Sequence, residues 1–287
     1  VTLLAPDPPY LGFRYTNLPA NPSSTPGTSV TPGASNADGS YTQIASSANI
    51  AEDIVAFTMR IIGGGTAANA KPQVMDIGVD PAGGTSYTAI VTKFPMGASG
   101  TSSSQFGYQF CFPLRIKAGS SVAVRIKGAN ATAGTVTVQA FFYGGGIGRP
   151  MNLKCAGAYA ETIGTITNSL GVSFTPGNAA DGSWTLLGAT TKKHWWWQIA
   201  YQIDNSTITA EQTYIEIAHG DASNKHIINR LLHMGDTSER CGDFLAANMN
   251  AFAAYCPVLA GTNIYIRGRT PNAPDTGYNA AAIGIGG

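Results

Sequence analysis

Charge is what this sequence is short of. Asp, Glu, Lys and Arg make up 11% of its 287 residues, where an average soluble domain carries about 25%. The net charge is +1, so there is no electrostatic case for a nucleic-acid or acidic partner. Tyr and Trp are interleaved with Lys too sparsely for a single-strand groove. Gly, Ala, Ser, Thr and Asn stand where charges usually do. A surface of small neutral polar residues suits dense packing against identical neighbours. It suits a cytosolic enzyme less well, because such enzymes keep their solubility through charge.

Long apolar runs are also missing. None approaches the roughly 20 residues of a membrane span, and the longest, around Trp195, is soon broken by polar groups. No basic stretch followed by an apolar run stands near Val1, so no signal peptide is expected within these residues. Secretion stays open.

Cysteine is scarce and unpaired in pattern. Cys111, Cys155, Cys241 and Cys256 form no CxxC motif and do not recur at matching places. Free thiols in a reducing compartment are the expectation, with a Cys241–Cys256 bridge as the alternative.

Catalytic signatures are absent as well. The sequence holds no GxSxG, HExxH or phosphate-binding loop. Glu161, Glu211, Glu216 and Glu239 are scattered, and only folding could assemble a carboxylate pair from them. His219, His226 and His233 are evenly spaced. Gly220, Asp221 and Asn224 intervene, so a hairpin rather than a helix is expected there, and a metal site is not. No catalytic residue, metal or cofactor is assigned.

What is present is said twice. Asp38-Gly39-Ser40-Tyr41-Thr42 returns as Asp181-Gly182-Ser183-Trp184-Thr185. Ala118-Gly119-Ser120-Ser121-Val122-Ala123-Val124-Arg125 returns as Ala260-Gly261-Thr262-Asn263-Ile264-Tyr265-Ile266-Arg267. Phe141-Phe142-Tyr143-Gly144-Gly145 corresponds to Ile283-Gly284-Ile285-Gly286-Gly287. Three landmarks in one order at nearly constant spacing indicate a duplicated domain. Each Asp-Gly reads as a turn, since Asp bonds its own backbone and Gly accepts positive φ.

The local pattern is β. Val122, Val124 and Ile126 alternate with Ala123, Arg125 and Lys127, the mark of a strand with one buried face. Val74 to Asp80, a Pro-Ala-Gly-Gly turn, and Thr85 to Lys93 read as a hairpin. The fold class expected is all-β: two tandem, duplicated, jelly-roll-like β-sandwiches preceded by an extended Pro-rich N-terminal arm. Helix should stay below about 10%, against a globular average near one-third. The least strand-like stretch, Asp236 to Phe252, would permit a short helix. Expected boundaries are 1–33 for the arm, 34–149 for the first sandwich, 150–157 for a junction and 158–287 for the second.

The arm holds Pro6, Pro8, Pro9, Pro19, Pro22 and Pro26, which favour an extended chain with few internal hydrogen bonds. Aromatic residues are unusual in a polar linker. Tyr10, Phe13, Arg14 and Tyr15 are therefore the candidate partner-binding residues, docking on another subunit or an underlying shell. Disorder is the competing reading. Trp195-Trp196-Trp197 is the strongest local feature. On a strand Trp195 and Trp197 face one way and Trp196 the other. One reading has Tyr159, Trp195, Trp196, Trp197 and Tyr201 presenting rings to a sugar or a neighbouring subunit. The other has one side packing the core and the other the domain junction.

The stretch Asp76-Ile77-Gly78-Val79-Asp80-Pro81-Ala82-Gly83-Gly84-Thr85-Ser86-Tyr87, followed by Phe110 to Arg125, resembles tailed-bacteriophage virion proteins. The resemblance covers about 50 residues of the first domain. The second domain keeps Ala260-Gly261 but lacks Pro-Ala-Gly-Gly. It implies a β-sandwich on the outside of a particle: a capsid decoration, a head spike or fibre, or a tail-associated protein. The expected partners are then further copies of the chain, with a trimer favoured, and other virion proteins such as shell or tail. Host surface polysaccharide is an alternative partner. Neither nucleic acid nor membrane insertion is expected, and the expected location is the virion.

Overall fold

A computed structural model describes residues 13–18, 27–34, 36–63, 73–95, 108–128, 135–145, 157–164, 171–203, 212–234, 254–271 and 278–287. The fold is all-β, with four sheets in two tandem sandwiches. Among the described residues the one helical element is a 3₁₀ turn at Ser47–Asn49. None of their helices is long and apolar enough to cross a membrane. Asp236 to Phe252 lies outside the described residues.

The first sandwich pairs two sheets. One contains β1 (Phe13–Leu18), β2 (Thr28–Val30), β4 (Ile54–Gly63), β7 (Tyr108–Phe112) and β9 (Val136–Gly145), ordered β1-β9-β4-β7 with β2 also on β9. The other contains β3 (Thr42–Ala45), β5 (Gln73–Asp80), β6 (Thr88–Pro95) and β8 (Ser121–Gly128), ordered β3-β8-β5-β6. From β2 to β9 the chain crosses between sheets at every step except the β5–β6 hairpin.

The second sandwich repeats the plan. One sheet holds β10 (Tyr159–Ile163), β11 (Val172–Phe174), β14 (His194–Ile203), β17 (Ala254–Val258) and β19 (Tyr278–Gly286), ordered β10-β19-β14-β17 with β11 on β19. The other holds β12 (Gly177–Asn178), β13 (Thr185–Ala189), β15 (Gln212–Gly220), β16 (Lys225–Met234) and β18 (Asn263–Thr270), ordered β12-β18-β15-β16 with β13 on β18.

The Pro-rich segment does not behave as an arm where it is described. Thr28–Val30 pairs with Val136–Val138, and Phe13–Leu18 pairs with Ala140–Gly145. The two strands together line one side of β9. In the second sandwich β11 pairs with Tyr278–Ala280 and β10 with Ala282–Gly286, in the same interrupted way. Part of the expected arm is thus the duplicated first strand of a sandwich. The physical reason is the bare hydrogen-bonding edge that β9 would otherwise present. Residues 1–12 and 19–26 of the expected arm, Tyr10 among them, lie outside the described residues.

Each core is apolar. In the first, the Phe57 ring centre lies 5.2 Å from that of Phe112 and 5.9 Å from that of Phe142. In the second, Trp197, Ile199, Ile215, Ile266 and Tyr278 are buried together. The two cores are joined. On β14, Trp197, Ile199 and Tyr201 face the second core, whereas Trp196 and Ala200 pack with the first. On β19, Ala280 and Ala282 face inward, and Ile283 and Ile285 join the first core. This sheet is therefore covered on both faces. That explains its continuous apolar runs, since strict alternation needs one wet face. Its outer face lies against β6, an end strand of the first sandwich. Gln198 Nε2 donates across the junction to the Cys111 carbonyl. Gly157 adds backbone bonds, donating to Pro113 O at 2.7 Å and accepting from Arg115 N at 3.0 Å.

Cys111 and Cys256 are free thiols, so Cys256 is not in the bridge considered above. Cys155 and Cys241 lie outside the described residues. Burial pushes both described thiols above their ordinary value.

Candidate functional site

The repeated sequence landmarks meet in space. In the second sandwich the Asp181-Gly182 turn is tied to β18 by Gly182 N donating to Gly268 O at 2.9 Å. That tie sets Asp181 and Trp184 over Arg267. Arg267 Nη2 lies 2.9 Å from Asp181 Oδ2 and 2.7 Å from Glu216 Oε2, and its Nε donates to the same Glu216 oxygen at 2.7 Å. The Trp184 ring covers the guanidinium, with Cζ 4.4 Å from its centroid.

The first sandwich builds the same cage. Gly39 N donates to Ile126 O at 2.9 Å. Arg125 Nη2 lies 3.2 Å from Asp38 Oδ2 and 2.7 Å from Asp76 Oδ2, and Tyr41 covers the guanidinium at 4.9 Å. Burial opposes the charge on Arg125, but the hydrogen bond and charge of Asp76 outweigh it and raise its pKa. Tyr41 is also raised, chiefly by burial, with Arg125 opposing.

The two cages differ on the far side of the buried carboxylate. A β-bulge in β6 turns the Lys93 backbone to φ 48°, and its N–H donates to Asp76 Oδ1 at 2.6 Å. In the second sandwich a side chain takes that place: Arg230 Nε donates to Glu216 Oε1 at 2.6 Å. The cage there opens into a cleft of about 370 Å³ lined by Asp181, Tyr214, Glu216, Arg230, Arg267 and Arg269. Sequence reading found both Asp-Gly turns and both arginines but not the link between them. It singled out Glu216 only as one scattered glutamate, and it missed Tyr214 and Arg269. The offset that pairs Tyr214 with Val74 was available, and it marks an exposed ring replacing an aliphatic.

The expected aromatic row is divided. Trp197 and Tyr201 are core residues, so they cannot present rings at the surface. Trp197 Nε1 donates to Cys256 O at 2.9 Å. Trp196 packs on the junction, with Tyr255 edge-on at 5.1 Å. Trp195 and Tyr159 are half-buried. The ammonium of Lys192 stands 4.7 Å from the Tyr159 ring centre, and that of Lys193 stands 6.0 Å from the Trp195 ring centre. The reason for the split is the doubly covered sheet that carries β14. Of the partner-binding set, Phe13, Arg14 and Tyr15 are on β1, opposite Gly145, Gly144 and Tyr143.

His194 is fully buried. Its Nε2 lies 3.1 Å from Glu161 Oε2, out of line for a hydrogen bond. Burial lowers its pKa, with the Glu161 carboxylate opposing. Gly284 is needed beside it, since a Cβ there would stand 2.6 Å from the imidazole. His219 and His226 face each other across the β15–β16 hairpin, ring centres 5.3 Å apart. Among the described residues no three His, Cys, Asp or Glu side chains gather as a metal site.

No family profile matches the chain, and no curated sequence matches it. Solved structures show distant likeness. PNGF-II shares 8% identity over 95% of this chain and 66% of its own, with a TM-score of 0.37. The STIV MCP shares 10% over 95% of each chain, with a TM-score of 0.36. The CBM22-1–CBM22-2 tandem domain of Paenibacillus barcinonensis Xyn10C shares 9% over 85% and 81%, with a TM-score of 0.25. Likeness of this order carries no argument about what the protein binds or does.

Proposed function

We propose that the protein is a non-enzymatic structural component of a phage particle, present in several copies on its surface. The observation that carries this reading is how the resemblance-bearing hairpin is used. Asp76 is spent on Arg125 and the Lys93 N–H. Asp80 accepts from Ala82 N at 2.9 Å and from Ser86 N at 2.8 Å, holding the Pro-Ala-Gly-Gly turn. The Tyr87 ring packs tilted against Tyr41, centres 5.3 Å apart, the ring that roofs Arg125. Asp76, Asp80 and the Tyr87 ring all brace the fold. The stretch on which the resemblance rests is thus a scaffold element. The low charge and the fused cores support the same reading, because a stiff, weakly charged unit packs against copies of itself.

Purified particles test it. Cross-linking followed by peptide mapping should join this chain to itself and to other virion proteins, and light scattering should show an oligomer, with a trimer favoured. A strictly monomeric chain absent from particles would count decisively against it.

Sugar binding for host attachment is the second reading. Half-buried Tyr159 and Trp195, each with a lysine over its ring, favour it. A Trp195→Ala variant that binds host glycans as well as the parent would remove that support.

A further inference from the structure

The duplicated modules are alike in their cages and unlike beside them. In the first sandwich the positions flanking the cage are closed. Val74 is 4% exposed and Lys127 is 9% exposed. Their counterparts in the second sandwich are Tyr214 and Arg269, paired across β15 and β18. Tyr214 is 44% exposed, and Arg269 is also exposed. The Arg269 backbone is laddered in β18, but its side chain makes no hydrogen bond or ion pair among the described residues. Arg230 adds a guanidinium whose side chain is 59% exposed, bonded to Glu216 through one end. A scaffold gains nothing from an arginine side chain left without a partner among the described residues beside an exposed tyrosine in a cleft.

We propose that this cleft binds a carboxylate-bearing sugar residue of an acidic polysaccharide. The Tyr214 ring supplies the apolar platform on which a pyranose stacks. Arg269, with the free end of Arg230, supplies planar paired donors that match a carboxylate. A sugar also needs acceptors for its hydroxyls. Asp181, with its side chain 48% exposed, keeps lone pairs beyond the one facing Arg267. Three arginines against two carboxylates leave the cleft one positive charge in excess, which suits one anionic group per sugar. The same two carboxylates disfavour a phosphodiester backbone. This site is separate from Trp195 and Tyr159, and it stands whether or not the chain belongs to a particle.

The test is calorimetric titration of the full chain with tetragalacturonate, a hyaluronan tetrasaccharide and sialyllactose. Methyl-esterified tetragalacturonate, which keeps the rings and loses the charge, is the control. A tetraglutamate peptide and a short oligothymidylate are the competing anions. At least one acidic sugar should bind, and at least tenfold more tightly than its neutral form or the competing anions. Tyr214→Ala and Arg269→Ala should each weaken it about tenfold or more, with unchanged melting, and Arg269→Lys should restore part of the loss. Trp195→Ala should leave binding intact. Binding that survives both Tyr214→Ala and Arg269→Ala overturns the proposal. So does no binding of any of the three sugars, or a preference for the peptide or the oligonucleotide.

Discussion

Arg267 lies beneath Trp184, its guanidinium carbon 4.4 Å from the ring centre, as Arg125 lies beneath Tyr41 at 4.9 Å. Both arginines donate through Nε to a carboxylate on the neighbouring strand, Glu216 or Asp76. The duplication has preserved a three-part contact whose members are far apart in sequence. Such a contact pins the Asp-Gly turn to the sheet and fixes the register of two central strands.

Removing the arginine should cost more in the first sandwich than in the second. Arg125→Ala leaves Asp76, 4% exposed, with only the Lys93 N–H as its remaining bond in the cage. Stranding a buried carboxylate costs on the order of 3 kcal/mol. Arg267→Ala leaves Glu216 still bonded to Arg230, so the loss there should be about half as large. Urea midpoints of the two variants compare them directly, and equal losses would mean that Arg230 does not share the load.

Asp80 holds its turn through two backbone donors, and Gly83 follows at φ 75°. Asp80→Ala should cost about 1–3 kcal/mol, because part-buried donors lose their acceptor. A change within a few tenths of a kcal/mol of the parent would show that the Pro-Ala-Gly-Gly sequence closes the turn unaided.

The two sandwiches should unfold as one unit, because Ile283 and Ile285 belong to the first core while Ala280 and Ala282 belong to the second. Calorimetry should show one transition. Ile283→Asp places a charge in the junction but spares the second sandwich's inner face, and it should split that transition in two. Two transitions in the parent protein would show that the junction is only a contact.

The three tryptophans should respond unequally. Trp197→Ala removes a fully buried ring and its bond to Cys256 O, and it should cost about 3–5 kcal/mol. Trp195→Ala should cost less than about 1 kcal/mol, as surface changes do. Thermal melts give the ranking, and near-equal effects would contradict the assignment of faces on β14.

Acid should weaken the fold through His194 and His219. Burial lowers both, with Glu161 opposing at His194 and the His226 charge assisting at His219. The unfolded chain, with histidines near the usual 6.5, then takes up protons more readily than the native one. Stability is complete above about 6.5 and falls as pH drops through that value towards the lowered native ones. Urea midpoints at pH 7.5, 6.5 and 5.5 should decline in that order, and His194→Gln should flatten the slope. An unaltered slope would remove His194 from the explanation.

Much of the architecture was legible from residues alone. Repeated phrases such as Asp38-Gly39-Ser40-Tyr41 and Asp181-Gly182-Ser183-Trp184 gave the duplication, because a copied domain keeps its turn chemistry. Alternation over Val122 to Lys127 marked a strand, because side chains on a strand point to opposite faces in turn. Both are local signals. The pairing of Phe13–Leu18 with β9 was not legible, since no short-range pattern states which strand edge a segment will cover. The division of Trp196 from Trp197 was legible as opposite faces. That one face meets its own core and the other a neighbouring sandwich was settled only when the sheet was covered on both sides. The cage and its cleft were hidden for the same reason. Asp181, Glu216 and Arg267 come from three separate stretches of chain, and only the β15–β18 register together with the Gly182–Gly268 backbone bond brings both carboxylates onto Arg267.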